Sequence, residues 1–506
     1  MRSTRNEPSA RPPAGALALL STLFAASCGE SREPLRIAAG DWPVTVELPA
    51  DPEPLYPRVV LFTIDTLRAD HVSAYGYRRT TTPFLDSLAQ QGVLFTRANS
   101  TISQTAPSHA SMLTGLPPLV HGVLDNSHEL GRDAVDLARV FGAAGFETAA
   151  CVNTKFLQGV AHSFGSVHAA TGRGDDVVRL ATTWLEKERK GERFFLWVHV
   201  FDPHRWKNLQ GLITVERARR RTRGNAPVRD SEFTFHGETP PDFERYVMEL
   251  HGLDAPSDAS APPVQTRKDG ESVDFESHAE YLRYVDAYDA MARLADGSLA
   301  ALYHAIEALA LPGPTLWIVT ADHGEGLASH GLCGHGGHIY QEQLSIPLLI
   351  HASDKSLAPR RVGAVTSHLD LYPTLVETLH GRVLAPEGLL DGRSLWPLVR
   401  GEPVDWSERA VFSQRTPSGE ALYSVQTARF KLLDNRGADG PDELYDLGAD
   451  PRERANLVQA GSAEHETLAR ELEQRLRVFE AHARQSDAEA IPADWMGELR
   501  DLGYVR

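Results

Sequence analysis

The chain reads as an open α/β sandwich, a mostly parallel sheet with helices on both faces. Three features carry that reading. RVVLFTI (58–64), FETAACV (146–152), RFFLWVHV (193–200) and TLWIVTA (315–321) are unbroken apolar runs rich in β-branched and aromatic residues. Such runs, unlike alternating ones, belong to strands covered on both faces. Segments with apolar residues at helical spacing lie between them. Polar residues gather where the runs stop, the edge at which open α/β sheets bind ligands.

Taken in order, the N-terminus comes first. Arg2, Arg5 and Arg11 precede GALALLSTLFAAS, and Cys28 follows at once. A basic end, about a dozen apolar residues and small residues before a cleavage point form an export signal, too short to span a membrane. AASC is similar to the bacterial lipoprotein box, with Ala25 where leucine is usual. Residues 1–28 are therefore expected to be a signal peptide with a lipidated Cys28, or a plain signal cut nearby. Either way the protein is exported, and lipidation would anchor it in a bacterial envelope, facing the periplasm or the exterior. Residues 29–57, rich in proline and acidic side chains, are expected to be a linker.

TTPFLDSLAQQG carries Phe84, Leu85 and Leu88 at helical spacing before Gly92, and DLARVFGAAG repeats the pattern. Residues 205–277 break the rhythm and are expected to be an insertion or lid. Its VERARRRTRG stretch is either a solvated helix face or an anion grip. Residues 278–310 are periodic over their length, a surface helix packed on the sheet. Beyond residue 400, AVFSQRT, ALYSVQTARF and KLLDN are short strands of a small antiparallel sheet. Leu468, Leu472, Leu476 and Phe479 mark one stripe of a closing helix. The expected division is a main domain over 58–400, a C-terminal subdomain over 401–485 and a tail over 486–506.

Of 506 residues 42% are hydrophobic, enough for a large core. Acidic side chains outnumber basic ones 68 to 51, a formal charge of −17, which argues against a general nucleic-acid surface. A small anionic substrate stays open, because a local metal can neutralise its charge. Beyond Cys28 only Cys151 and Cys333 remain, so core packing rather than a disulfide framework holds the fold.

Asp65 ends the first apolar run, His199 and His204 flank the end of the third, and Asp322-His323 end the fourth. Carboxylates and imidazoles presented from strand ends suit a divalent ion. Asp65, Asp322 and His323 are the candidate ligands, with Thr105 as a fourth through its oxygen. A threonine hydroxyl attacks poorly in water, but a metal lowers its pKa and aims it. In TAPSHASMLTG, Pro107 suits a helix start, whose N–H groups favour a phosphoryl or sulfuryl group. Alone, Thr-x-Pro is usually a helix cap and an Asp after a strand usually structural; their coincidence carries the weight. HGLCGHGGH packs His330, His335 and His338 into nine residues. At least one is expected to be functional and the others to face solvent. Cys333 between them is a soft-metal ligand only in a minor alternative.

VVLFTIDTLRADHVSAYGY, TAPSHASMLTG, FDPHRW, TADHGEGLASHG, SHLDLYPTL and ELYDLGADPRERANL together resemble the sulfatase family of the alkaline phosphatase superfamily, over roughly residues 58–460. The final LRDLGYV is similar to bacterial members. The resemblance implies a three-layer sandwich with a large, mostly parallel sheet and a smaller C-terminal antiparallel sheet. It implies metal ligation by Asp65, Thr105, Asp322 and His323 and nucleophilic attack by Thr105. It puts His109 where the family has an arginine supporting the nucleophile, His204 at a histidine contacting the substrate anion or leaving group, and His335 near a charge-neutralising lysine.

Two departures stand out. Thr66 occupies the second place of a paired aspartate. Thr105 cannot become formylglycine, because its β-carbon bears a methyl and oxidation would give a ketone. A threonine at a metal resembles the phosphodiesterase and phosphomutase relatives, which generally use two ions; His199, His204, His330, His335 and His338 are candidates for a second site. The expected activity is metal-dependent hydrolysis of phosphoric or sulfuric esters, or phosphotransfer, through a covalent threonyl ester. The cofactor is one or two ions of Ca, Zn or Mn. The substrate is a small anionic ester or a sulfated or phosphorylated glycan. The alternatives are a sulfatase working without formylglycine and a lipid-anchored binding protein without turnover.

Overall fold

The four unbroken apolar runs are strands of one nine-stranded sheet in a computed structural model. It describes residues 33–205, 234–253, 267–268, 271–272, 275, 277–386, 388–389, 391–415, 422–435, 441–483 and 489–490. The strands lie in the order Arg360–Val362, Val93–Asn99, Ser345–Ala352, Thr315–Ala321, Arg58–Ile64, Phe194–Val200, Glu147–Val152, Ser166–Ala169, with Thr366–Ser367 also on Val93–Asn99. Only Ser345–Ala352 runs against its neighbours; the remaining pairs are parallel. Every residue of Arg58–Ile64, Phe194–Val200 and Thr315–Ala321 is buried, as a strand covered on both faces requires.

Two helix layers supply that cover. Thr105–Thr114, Leu137–Ala143 and Leu371–Glu377 pack together, and Pro83–Ala89 and Gly174–Thr183 pack on His278–Ala308. The long helix does pack where expected, but much of its length is buried, Tyr281, Tyr284, Tyr288 and Asp289 included. Val93–Asn99 and Ser345–Ala352 are strands the apolar-run reading did not find. SIPLLIHA contains Pro347, ordinarily an argument against a central strand. The sheet accommodates it at a register break between Ile346 and Leu348, and the Pro347 carbonyl accepts from Thr320 Oγ1 at 2.7 Å.

The linker expectation is corrected. Within residues 29–57, Leu35–Ile37 and Thr45–Leu48 form a three-stranded antiparallel sheet with Arg382–Leu384. Val46 and Leu48 alternate inward and join the main core, so these residues are part of the folded body. Residues from Pro34 onward make one compact unit.

Val411–Arg415, Leu422–Gln426, Phe430–Asp434 and Glu443–Asp446 form the expected C-terminal antiparallel sheet. Leu472, Leu476 and Phe479 of helix Ala463–Ala483 bury against Val425, Leu432 and Leu444, with Leu468 at the edge. In the expected tail, Glu489–Ala490 pairs with His128–Glu129. The export segment and VERARRRTRG lie outside the described residues. From the expected insertion, helix Phe243–Leu250 packs Phe243, Val247 and Met248 against Tyr281, Tyr284 and Tyr288. Cys151 and Cys333 are buried and free of disulfides. Among the described residues no helix is long and apolar enough to cross a membrane.

Candidate active site

Arg58–Ile64 and Thr315–Ala321 pair in parallel with Ile64 opposite Ala321. That register brings the next residues, Asp65 and Asp322, out of the same sheet edge side by side. Ligating atoms of Asp65, Asp322 and His323 lie within 4.8 Å of one another, all three residues buried. Thr105 opens helix Thr105–Thr114 over them. Its Oγ1 is 3.4 Å from Asp65 Oδ2 and 3.5 Å from His323 Nε2.

Local hydrogen bonds aim these groups. Thr66 N–H and His323 N–H donate to Asp322 Oδ1 at 3.0 and 2.8 Å, while Asp322 Oδ2 has no donor. His323 Nδ1–H donates to the Gly324 carbonyl at 2.9 Å, so Nε2 turns its lone pair to the cluster. Burial raises the Asp322 carboxyl, but the imidazoles of His323, His109 and His199 outweigh it and hold the group below its ordinary value. Two buried carboxylates and an inward lone pair form a donor set that suits a divalent cation.

A second chain of contacts runs beneath Thr105. His109 Nδ1–H donates to the Thr105 carbonyl at 2.8 Å, and its Nε2 lies 3.0 Å from Thr63 Oγ1. Trp197 Nε1–H donates to the same hydroxyl at 3.1 Å, and His199 Nδ1 lies 3.0 Å from it. His199 Nε2 completes the path, 3.3 Å from Asp65 Oδ2. Burial holds His109 well below its usual value, helped by His199, and pushes His199 down to about 4. Both His109 nitrogens are used inside the protein, so the ring supports the helix start and does not face a leaving group.

His335 and His204 lie on another side of the cluster. The His335 ring centroid is 4.5 Å from that of His323 and 4.9 Å from that of His204. His335 Nδ1 contacts Glu325 Oε2 at 3.0 Å, and His204 stacks on Phe201 at 4.1 Å. The other two loop histidines do not face solvent freely as expected. His330 contacts Glu342 Oε1 and the Glu453 carbonyl, each at 2.9 Å, and stacks on Tyr340. His338 Nε2 meets Gln343 Nε2 at 2.8 Å. Cys333 packs with Tyr281 and Tyr284 in a separate apolar cluster.

The sulfatase profile matches residues 57–381, more than half of the chain. The chain belongs to the sulfatase family. A second profile, N-sulphoglucosamine sulphohydrolase, C-terminal, matches residues 330–482. The chain is 23% identical to an N-acetylglucosamine-6-O-sulfatase of Bacteroides thetaiotaomicron, over 87% of this chain and 89% of the relative. It is 25% identical to the multifunctional alkaline phosphatase superfamily protein PehA of Trinickia caryophylli, over 82% and 94%. A phosphonate monoester hydrolase of Agrobacterium radiobacter shares the fold with a TM-score of 0.61 at 20% identity, over 85% of this chain and 96% of that one. Family membership and the buried Asp65–Asp322–His323 cluster make this sulfatase-family chain a metal-dependent ester hydrolase.

Two details depart from the sequence reading of this chain. The helix start is a poorer anion cradle than expected: Ala106 N–H already donates to Asn126 Oδ1 at 2.7 Å, and Pro107 has no N–H. Asn126 is buried and its Nδ2 has no acceptor, which leaves an amide donor beside the start of the Thr105 helix. No spacing in the sequence marks Asn126; only its contact with Ala106 does. Thr66 sits at φ 54°, a left-handed conformation that strains a β-branched residue, with its buried Oγ1 lacking a partner. Its carbonyl accepts from Tyr288 OH at 2.6 Å, which helps hold it there.

Proposed function

We propose that this sulfatase-family enzyme cleaves a phosphoric ester with Thr105 as nucleophile, acting on a small anionic ester or a phosphorylated glycan unit. The observation that carries the reading is the Thr105 hydroxyl, 3.4 Å from Asp65 and 3.5 Å from His323, on a side chain whose methyl bars formylglycine. Asp65, Asp322, His323 and Thr105 would hold a divalent ion, with nitrogen in the set favouring Zn or Mn over Ca. When bound, such an ion supplies a lowered hydroxyl pKa and charge neutralisation.

The chain's own groups divide the remaining work. Thr105 Oγ1, already ionised, attacks phosphorus in line as the ester oxygen leaves, forming a phosphothreonyl ester, and departs again as the alkoxide when water cleaves it. His204 or His335 gives the departing alkoxide its proton, then takes one from the water that hydrolyses the ester and frees Thr105. Asn126 Nδ2–H donates to a substrate oxygen. His109 positions Thr105 through its carbonyl. The basic and apolar run ahead of Cys28 supports export with a lipid anchor.

Sulfuric ester hydrolysis without formylglycine is the second reading, favoured by relatives named as sulfatases. Parallel turnover of an aryl sulfate, a phosphate monoester and a phosphate diester separates them, with elemental analysis of the same preparation for the ion. Phosphate turnover should fall by at least about 10³-fold in Thr105→Ala. A faster aryl sulfate rate selects the second reading, and unchanged turnover in Thr105→Ala removes the nucleophile assignment.

A further inference from the structure

A cavity of about 1050 Å³ opens between strand Val93–Asn99, helix Phe243–Leu250 and the loop around residues 451–459. None of Asp65, Thr105, Asp322 or His323 lines it. Its size is at the upper end for small-molecule sites, and it sits where three parts of the chain meet, as such sites often do.

Its charges are unevenly matched. Each lining carboxylate has a partner: Asp70 is bridged by Arg68 at 2.7 Å, Glu342 by His330 at 2.9 Å and Glu453 by Lys431 at 2.7 Å. Glu443 accepts from Tyr340 OH at 2.9 Å. The lining arginines Arg97, Arg452 and Arg454 have no carboxylate at salt-bridge distance among the described residues. Arg452 and Arg454 each use an N–H on the Glu249 carbonyl, which leaves further donors on each guanidinium. Arg97 makes no side-chain hydrogen bond there, and burial without an offsetting carboxylate lowers its pKa. Three guanidiniums without a carboxylate at salt-bridge distance, Arg452 having only the longer-range charge of Asp70, suit an anion.

A second orphan narrows the ligand. Asn99, two residues along the strand from Arg97 and so on its face, is 2% exposed, and its Oδ1 has no donor. An acceptor beside a cation asks for a ligand that also donates, which a hydroxyl does. Tyr246 and Tyr445 line the same space, aromatic side chains of the kind that pack against a sugar ring. We infer that this cavity is a second, non-catalytic binding site for a saccharide bearing an anionic group, sulfate, phosphate or carboxylate, gripped by Arg97 and Arg452 and hydrogen-bonded by Asn99.

Calorimetry tests it on the full mature chain in the Thr105→Ala background, where probes are not consumed. The probes are N-acetylglucosamine 6-sulfate, N-acetylglucosamine 6-phosphate, glucuronate, neutral N-acetylglucosamine and inorganic sulfate, each to millimolar concentration. At least one charged sugar should fill two sites, and Thr105→Ala with Arg97→Gln should fill one. Arg452→Gln, at a more accessible position, should weaken the same site at least tenfold if Arg97→Gln fails to fold. The three charged probes distinguish which anion is held. One site in every protein, or equal binding in both arginine variants, overturns the proposal. Neutral sugar binding as tightly as the charged ones, or inorganic sulfate binding as tightly as any sugar, overturns it too. In the otherwise wild-type protein, loss of this site leaves turnover of a small aryl ester intact, so its failure is distinct from failure of the Thr105 assignment.

Discussion

Thr63 Oγ1 lies 3.0 Å from His109 Nε2, two residues before the candidate ligand Asp65. That hydroxyl also receives Trp197 Nε1–H and contacts His199 Nδ1, so one oxygen ties three rings under Thr105. Thr63→Val keeps the shape and removes the oxygen. His109 Nε2, His199 Nδ1 and Trp197 Nε1 then lose their shared partner in a buried site, a loss of at least about 2 kcal/mol in urea unfolding. Thr63→Ser should recover most of it. Turnover in the valine variant should fall through kcat more than KM, because Thr105 is mispositioned while the substrate contacts stay. Unchanged stability would show that the hydroxyl does not organise the rings.

Thr66 combines a strained backbone with a partnerless hydroxyl next to Asp65. Aspartate tolerates the left-handed region better than threonine. Thr66→Asp therefore relieves strain and adds a carboxylate at the cluster. Divalent-ion affinity, read by calorimetry, should rise at least tenfold. An unchanged affinity would place this side chain outside the ion's reach.

Chelation should destabilise the protein. A ligand that binds only the folded state at about 100 times its Kd contributes roughly 2.7 kcal/mol. Thermal unfolding with EDTA should occur at lower temperature, and adding back Zn or Mn should restore it. Asp322→Asn should unfold at the same temperature with and without chelator. A wild-type transition indifferent to EDTA would count against the cluster as an ion site.

The His330–Glu342 pair gives a pH signature away from the candidate active site. Burial lowers His330, but its hydrogen bond to the Glu342 carboxylate overrides this and lifts the ring from 6.5 to about 9. Burial raises Glu342, and His330 outweighs it, taking the carboxyl from 4.5 to about 2. The raised imidazole contributes stability fully below pH 6.5, lost as pH climbs through about 9. The depressed carboxyl contributes above pH 4.5, lost as pH drops through about 2. These are two views of one interaction and are not added. Glu342→Gln should be roughly 2 to 3 kcal/mol less stable than wild type near pH 5.5, and the gap should close above pH 9. Urea unfolding at both pH values checks it; a gap independent of pH would assign the loss to packing alone.

Much of the fold was legible because its central strands are covered on both sides. Arg58–Ile64, Phe194–Val200 and Thr315–Ala321 stand out as apolar runs for that reason. Ser345–Ala352 did not, because Pro347 hides a strand that a register break makes possible. Leu35–Ile37 and Thr45–Leu48 were too short to separate from a linker until Arg382–Leu384 paired with them.

The sequence alone singled out Asp65, Thr105, Asp322 and His323 as candidates, since strand ends and a helix start are local signals that survive in one dimension, and the fold brings them together. It could not sort the histidines. His199, His204, His330, His335 and His338 look alike along the chain, and their partners differ only in space: Asp65 for His199, His335 for His204, Glu342 for His330. Tertiary structure also decided that Asn126, rather than open N–H groups, meets the start of the Thr105 helix. A side chain's chemistry is written in its residue type, but its role depends on which distant atoms the fold brings within hydrogen-bond range.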